Sequence, residues 1–240
     1  MIRYYARERV TIWRRLRDAI LWTLSLLLLL SIFWVVVYRF VPVPVTWLMA
    51  RDRIEGRHVT RNWVGLDRIA TVMPRAVLGA EDAGFCSHNG FDVAAIGDAF
   101  VSNAEGHKLR GGSTISQQTA KNAFLWPGRS YVRKGLEAWF TMLIELIWGK
   151  PRIMEVYLNI VEMGPGIYGV DAAARHYFNV GADKLTRAQA ARLAAILPQP
   201  IERDAANPGR ATRRYARRIE KRVRVVKTEG IDFCLTEARG

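Results

Sequence analysis

Acidic side chains are scarce in this chain. Against 36 Lys and Arg stand 22 Asp and Glu, for a formal net charge of +14. An excess of that size points to an anionic partner: nucleic acid, acidic phospholipid or a phosphorylated substrate. Cysteine is nearly absent. Cys86 and Cys234 allow one disulfide at most, and nothing in their spacing demands it; two free or buried thiols fit as well. The four histidines (58, 88, 107, 176) form neither an H-x-x-x-H pair nor a cluster with cysteine, which argues against a dedicated zinc site. Internal repeats and low-complexity stretches are missing, and alternating strand patterns are few.

What is present begins with an uncharged run. Residues 19–38, AILWTLSLLLLLSIFWVVVY, carry no ionisable charge and as a helix reach about 30 Å, the thickness of a bilayer's hydrocarbon core. Upstream, Arg3, Arg7, Arg9, Arg14, Arg15 and Arg17 face only Glu8 and Asp18, so the arm 1–18 is expected in the cytoplasm. Trp22, Trp34 and Tyr38 stand where interfacial aromatics belong. A cleaved signal peptide is the competing reading. It fits less well, because the run is long for such a segment and VVVYRFVPVPV offers no small-x-small cleavage site. The expectation is one uncleaved anchor, with the remaining roughly 200 residues forming one domain with a full core outside the cytoplasmic membrane. A cytosolic nucleic-acid role then drops away.

Past VPVPVTW, where two prolines favour an extended exit, most segments read as helices. Pro74 suits a helix start through PRAVLGAED. Thr114 and Gln117 have capping-box spacing for a helix through QQTAKNAFL, which Pro127-Gly128 breaks. Residues 131–148 form a long helix. Pro151 opens another through IMEVYLNIVEM, apolar almost all round. The fold class is mainly α.

Three stretches carry candidate chemistry. In AEDAGFCSHNGFD (80–92), Glu81 and Asp82 are flanked by Phe85 and Phe91, and desolvation beside aromatics raises a carboxyl group towards the range of a general base; a solvated helix end is the alternative. In RGGSTISQQTAKN (110–122), Thr114, Gln118, Lys121 and Asn122 share a helix face, either an ordinary solvated face or the polar wall of a cleft with Lys121 turned to a phosphate. In RKGLE (133–137), Arg133 and Lys134 precede Glu137 at helical spacing. That is a surface ion pair worth a few tenths of a kcal/mol, or a set of cations for an anionic leaving group. GPGIYG (164–169) matches G-x-G-x-x-G, but a helix and not a strand is expected before it, so it reads as a tight interhelical turn with close backbone packing.

Taken in order, EDAGFCSHNGFD, RGGSTISQQTAKN, RKGLEAWF and KPRIMEVYLNIVEMGPGIYGVDAAARHYF closely resemble the successive motifs of the peptidoglycan glycosyltransferases, the family shared with class A penicillin-binding proteins. The resemblance runs from about residue 70 to about 210. Neither Ser-x-x-Lys nor Lys-Thr-Gly occurs, so it looks like the stand-alone form, without a transpeptidase domain. The resemblance implies a mainly α, lysozyme-like glycosyltransferase domain (70–240) with a smaller membrane-proximal lobe. A transmembrane anchor (19–38) and a segment 39–69 containing the linker and the start of the domain precede it.

It also implies the reaction. The GlcNAc 4-hydroxyl of lipid II attacks the anomeric carbon of lipid-linked MurNAc, with inversion to a β-1,4 bond and release of polyprenyl pyrophosphate. By motif match Glu81 is the base and Glu137 the second carboxylate, organising a divalent ion (Mg or Mn) or the cations around the pyrophosphate ahead of acting as an acid. Lys121, Arg129, Arg133 and Lys134 are the implied pyrophosphate contacts. Thr114, Gln118 and Asn122 are expected to position substrate, and Asp82, Phe85 and His88 to shape the loop that holds Glu81. Glu155, Tyr157, Asn159 and Gly166 are expected to be mainly structural. The basic run 210–227 reads as a helix on acidic lipid or a solvated helix with a thin apolar face. No organic cofactor is expected. The implied partners are lipid II, the growing glycan, the cytoplasmic (inner) membrane, and other cell-wall synthesis or division proteins, with the catalytic domain on the periplasmic or external side. The rivals are a lytic muramidase, which shares the fold but needs no pyrophosphate-binding cations, and a non-enzymatic precursor scaffold.

Overall fold

The computed structural model describes residues 2–92, 112–128 and 130–236. The chain divides into two compact units, residues 1–41 and 42–240. The first is one helix, α1 (Ile2–Phe40). Within Ile12–Phe40 the most apolar stretch has a mean hydropathy of 2.6, and only 6% of it is buried in protein. Apolar side chains so exposed have the character of a membrane anchor and not of a core helix.

The second unit is mainly helical. After an extended segment, α2 (Trp47–Ile54) starts where Thr46 accepts the Met49 N–H at 3.2 Å. Arg61 holds the extended segment by donating to the carbonyls of Val43 (2.6 Å) and Pro44 (2.8 Å). Then come β1 (Thr60–Arg61), a 3-10 turn (Leu66–Arg68), α3 (Val72–Glu81), α4 (Ile115–Phe124), α5 (Tyr131–Ile147) and α6 (Lys150–Ile160). They are followed by β2 (Glu162–Gly164), β3 (Ile167–Tyr168), α7 (Val170–Phe178), a second 3-10 turn (Ala182–Lys184), α8 (Arg187–Ile196), α9 (Arg210–Thr228) and α10 (Phe233–Thr236).

Local chemistry explains most of these starts. The expected capping box is present at α4, where Thr114 and Gln117 bond each other's backbone N–H, and a second one, Thr186 with Gln189, opens α8. α3 starts at Val72, two residues before the expected Pro74, which sits in the first turn where its missing N–H costs nothing. The core includes Met73, Val77, Leu78, Ile144, Met154, Tyr157 and Leu193, all fully buried.

Two expectations need correction. The helix expected to run through Glu162 and Met163 stops at Ile160, and Glu162–Gly164 instead form β2, antiparallel to β3, with β1 parallel to β3 on its other side. The GPGIYG stretch is therefore a β-hairpin and not an interhelical turn. Its glycines do make the close backbone approach: Gly166 has φ +70°, and a Cβ there would lie 2.2 Å from the His58 carbonyl oxygen. Gly166→Ala is expected to destabilise the second unit by about 1–3 kcal/mol, from the unfavourable φ and the clash. An unchanged thermal unfolding midpoint would show that β1 moves away freely.

The second correction concerns α9. Its apolar stripe is not a thin solvated face: Ala216, Ile219, Val223 and Val226 are buried, and the helix packs on α3 and α8. Only its opposite side, rich in Arg and Lys, meets solvent.

Candidate active site

Glu81 is the last residue of α3, and the loop that follows is tied back at several points. Asp82, 7% exposed, accepts the Ile115 N–H at 2.9 Å and is 3.0 Å from His88 Nε2. Ile115 is the first residue of α4, so the Asp82 carboxylate takes a free N–H at a helix N-terminus, where negative charge is favoured. His88 Nδ1 accepts the Gly90 N–H at 3.1 Å, which leaves the ring proton on Nε2, facing Asp82. Lys150 donates to the His88 carbonyl oxygen (2.6 Å) and to Glu145 (2.7 Å), and lies 4.5 Å from the centre of the buried Phe85 ring. Asp82, Phe85 and His88 thus shape the loop beside Glu81. Thr114, expected on the polar wall, is buried instead. Its hydroxyl donates to the Gly90 carbonyl at 2.7 Å and accepts the Gln117 N–H, so it secures the start of α4.

Glu81 itself accepts a hydrogen bond from Gln118 Nε2 at 3.1 Å. The Gln118 carbonyl oxygen in turn accepts from the Tyr157 hydroxyl at 3.3 Å. Burial pushes the Glu81 carboxyl above its ordinary range and the neighbouring Asp82 charge adds to this, while the Gln118 bond, Arg203 and Lys121 oppose it. Tyr157, buried and beside two carboxylates, is held well above its usual phenol value and so remains a hydrogen-bond donor that fixes the Gln118 amide. Of the motif read as structural, then, Tyr157 reaches the site. The other members anchor the chain: Asn159 bonds both the N–H and the carbonyl of Val64 at 2.8 Å, and Glu155 accepts the Leu66 N–H at 3.2 Å.

The second carboxylate is Glu137 on α5. It is 3% exposed, and of its two cation partners Arg133 is largely buried while Lys134 is half exposed. Lys134 Nζ lies 2.5 Å from Oε1 and Arg133 Nη1 3.5 Å from Oε2. Lys121 on α4 has its pKa lowered, first by burial and then by the charges of Arg133 and Lys134, against the pull of Glu137 and Glu81. It therefore responds to both carboxylates. A half-open cavity of about 320 Å³ is lined by Lys121, Asn122 and Arg133 on its polar side and by Leu48, Leu125 and Trp126 on its apolar side. Arg133 Nε is buried there with no hydrogen-bond partner among the described residues, a donor without its acceptor. Arg129 lies outside the described residues, as do Arg110 and Gly111 of the preceding motif.

Among the described residues no group of three or more His, Cys, Asp or Glu side chains is placed to hold a metal. Glu137, the carboxylate expected to take part in a divalent site, is already in contact with Lys134 and Arg133.

Sequence reasoning missed Arg203, whose charge acts on Glu81, and Tyr215 and Arg222, which reach α3 from α9. No motif marks them, since each is selected by a tertiary contact. Cys86 and Cys234, left open between thiols and a disulfide, are bonded to each other.

Comparison with known proteins identifies the family. The family model described as Transglycosylase matches residues 49–227. A biosynthetic peptidoglycan transglycosylase of Caulobacter vibrioides is 52% identical over 222 residues, which cover 92% of this chain and 97% of that protein. One of Jannaschia sp. is 49% identical over 205 residues (85% and 84%), and one of Pseudomonas aeruginosa 44% over 219 residues (89% and 93%). With most of its length matched and relatives this similar, the chain belongs to the transglycosylase family.

Proposed function

We propose that this chain is a biosynthetic peptidoglycan transglycosylase that polymerises lipid II into glycan strands. In this reading it is held by α1 in the cytoplasmic membrane, with residues 42–240 on the external side. The observation that carries it is the pairing of a partly buried carboxyl at Glu81, raised by desolvation, with the cations Lys121, Arg133 and Lys134 around Glu137. The Cys86–Cys234 bond supports the external placement, because disulfides persist in oxidising compartments. The growing glycan is the donor, and other wall-synthesis or division proteins are its expected neighbours.

Glu81 would take the proton of the GlcNAc 4-hydroxyl as that oxygen forms its bond to the MurNAc anomeric carbon. The electrons of the breaking C–O bond leave with the lipid pyrophosphate on the opposite face, so the α linkage becomes β. The leaving group is already a weak base, and fixed positive charge helps it more than a proton donor would. Lys121, Arg133 and Lys134 supply that charge; Arg133 Nε finds no acceptor among the described residues. Glu137 holds the two cations of α5 in place. A divalent ion would arrive with the pyrophosphate, bound chiefly by its oxygens and by Glu137 at most. Asn122 lines the cavity and would contact substrate there, and the apolar lining of that cavity, with Leu48 and Trp126, suits the start of a lipid chain. A muramidase would have no use for three cations beside its second carboxylate.

Full-length protein incubated with labelled lipid II is expected to yield long glycan resolved by size; shortening of finished glycan without polymer would favour the muramidase. Lys121→Ala should lower polymerisation about ten- to a hundredfold, the loss of one charge-assisted contact to the pyrophosphate. Unchanged kinetics would remove Lys121 from that site.

A further inference from the structure

The last turn of a helix leaves its carbonyls without helical partners. At the end of α3 the Asp82 N–H takes the Leu78 carbonyl at 3.2 Å, and the next two carbonyls are taken from another helix. Arg222 Nη1 donates to the Gly79 oxygen at 2.8 Å, and the Tyr215 hydroxyl donates to the Ala80 oxygen at 3.1 Å. Both donors lie on α9 at i and i+7, hence on one face. The two helices approach closely here: a Cβ on Gly79 would stand 3.0 Å from Arg222 Cβ. Two further attachments flank this pair. Arg75 bonds Asp232 at 2.7 Å between largely buried side chains, and Cys86 is joined to Cys234. The helix and loop from 75 to 86 are thus bound four times to the segment 215–234, with Glu81 in the middle.

We propose that residues 210–236 form a brace that sets the position of Glu81, with Tyr215 and Arg222 as positioning residues acting through the carbonyls of the preceding turn. The proposal rests on the reading of Glu81 as the base. Without the two donors, the Gly79 and Ala80 carbonyls must turn to water for partners, the last turn loosens, and the carboxylate leaves its place opposite Gln118. A displacement of about 1 Å in a reacting group costs up to about a hundredfold in rate. Substrate contacts through Lys121 and Arg133 lie on α4 and α5 and are untouched, so the loss belongs to kcat and not to KM.

The test uses the full-length protein carrying Tyr215→Phe, Arg222→Leu, both together, or Arg222→Lys. For the double variant, kcat on lipid II is expected to fall about tenfold or more, with KM within about twofold; Arg222→Lys should recover part of the loss. Water admitted to Glu81 relieves burial, the largest cause of its raised pKa, and this outweighs loss of the Gln118 bond, which lowers it, while Asp82, Lys121 and Arg203 stay in place around it. The acid limb of the kcat profile should therefore move to lower pH. Amide exchange at residues 79–82 should quicken. A folded double variant with wild-type kcat, or one with unchanged protection at 79–82, overturns the brace. Equal losses in kcat and KM with no movement of the pH limb also overturn it, since they report general loosening. Should the double variant fail to fold, Tyr215→Phe alone, which deletes one hydroxyl, decides by the same readouts. Wild-type polymerisation by Glu81→Gln would instead sink the base assignment, and the exchange measurement would still judge the brace.

Discussion

Glu81→Gln is expected to stop lipid II polymerisation with the fold intact. The substitution preserves shape and removes only the group that accepts the hydroxyl proton. General-base catalysis contributes about a hundred- to ten-thousandfold, and a loss in that range is expected in kcat. KM should change little, because the cations proposed to meet the pyrophosphate lie elsewhere, on α4 and α5. Far-ultraviolet circular dichroism and the thermal midpoint should match wild type. Removing the Glu81 charge costs the Gln118 bond and the attraction of Arg203 and Lys121, and relieves repulsion from Asp82. The pH profile of the wild type gives the same group a second test. The base works ionised, and burial raises its pKa, so activity must fall as pH drops through a point above the ordinary carboxylate range. An acid limb at the usual carboxylate pKa, or polymer made equally well by Glu81→Gln, would end the assignment.

Loss of the Cys86–Cys234 bond is expected to have the largest effect on stability. It joins residues 148 positions apart, and cross-linking a loop of that size removes enough unfolded-state entropy for about 4–5 kcal/mol. In a unit of this size that corresponds to a fall of roughly 10–15 °C in unfolding midpoint. Reductant should produce this shift in the wild-type protein. The double substitution Cys86→Ala with Cys234→Ala should show it from the start and be insensitive to reductant. Thiol titration under native, non-reducing conditions should find none free. Equal midpoints with and without reductant, or two titratable thiols in protein purified from an oxidising compartment, would refute the link.

How much of this was legible in the chain depended on range. The anchor was readable because twenty uncharged residues in a row need no tertiary partner to declare themselves. Helix starts were readable for a similar reason: Thr114 and Gln117 satisfy each other's N–H within one turn. The Arg133, Lys134 and Glu137 contacts followed from helical spacing. Their strength did not, since spacing cannot tell a 3% exposed carboxylate from a solvated one. The candidate bases and cations came from the order of four long motifs, all of which lie within the family match over residues 49–227.

By itself, the sequence determined the mainly α class, the long apolar N-terminal helix, the transglycosylase family and the two carboxylates around which the chemistry is proposed. Each of these is encoded within a few turns of chain or in a contiguous motif. Only the tertiary structure decided the partners. It chose Gln118 for Glu81 across 37 residues, Tyr215 for Ala80 across 135 and Arg222 for Gly79 across 143, and it closed Cys86 on Cys234. It also turned the basic run 210–227 from a surface feature into a packed helix. Side chains so distant meet because burying the apolar faces of α3, α8 and α9 together brings them into reach. No local pattern records which polar groups arrive with those faces.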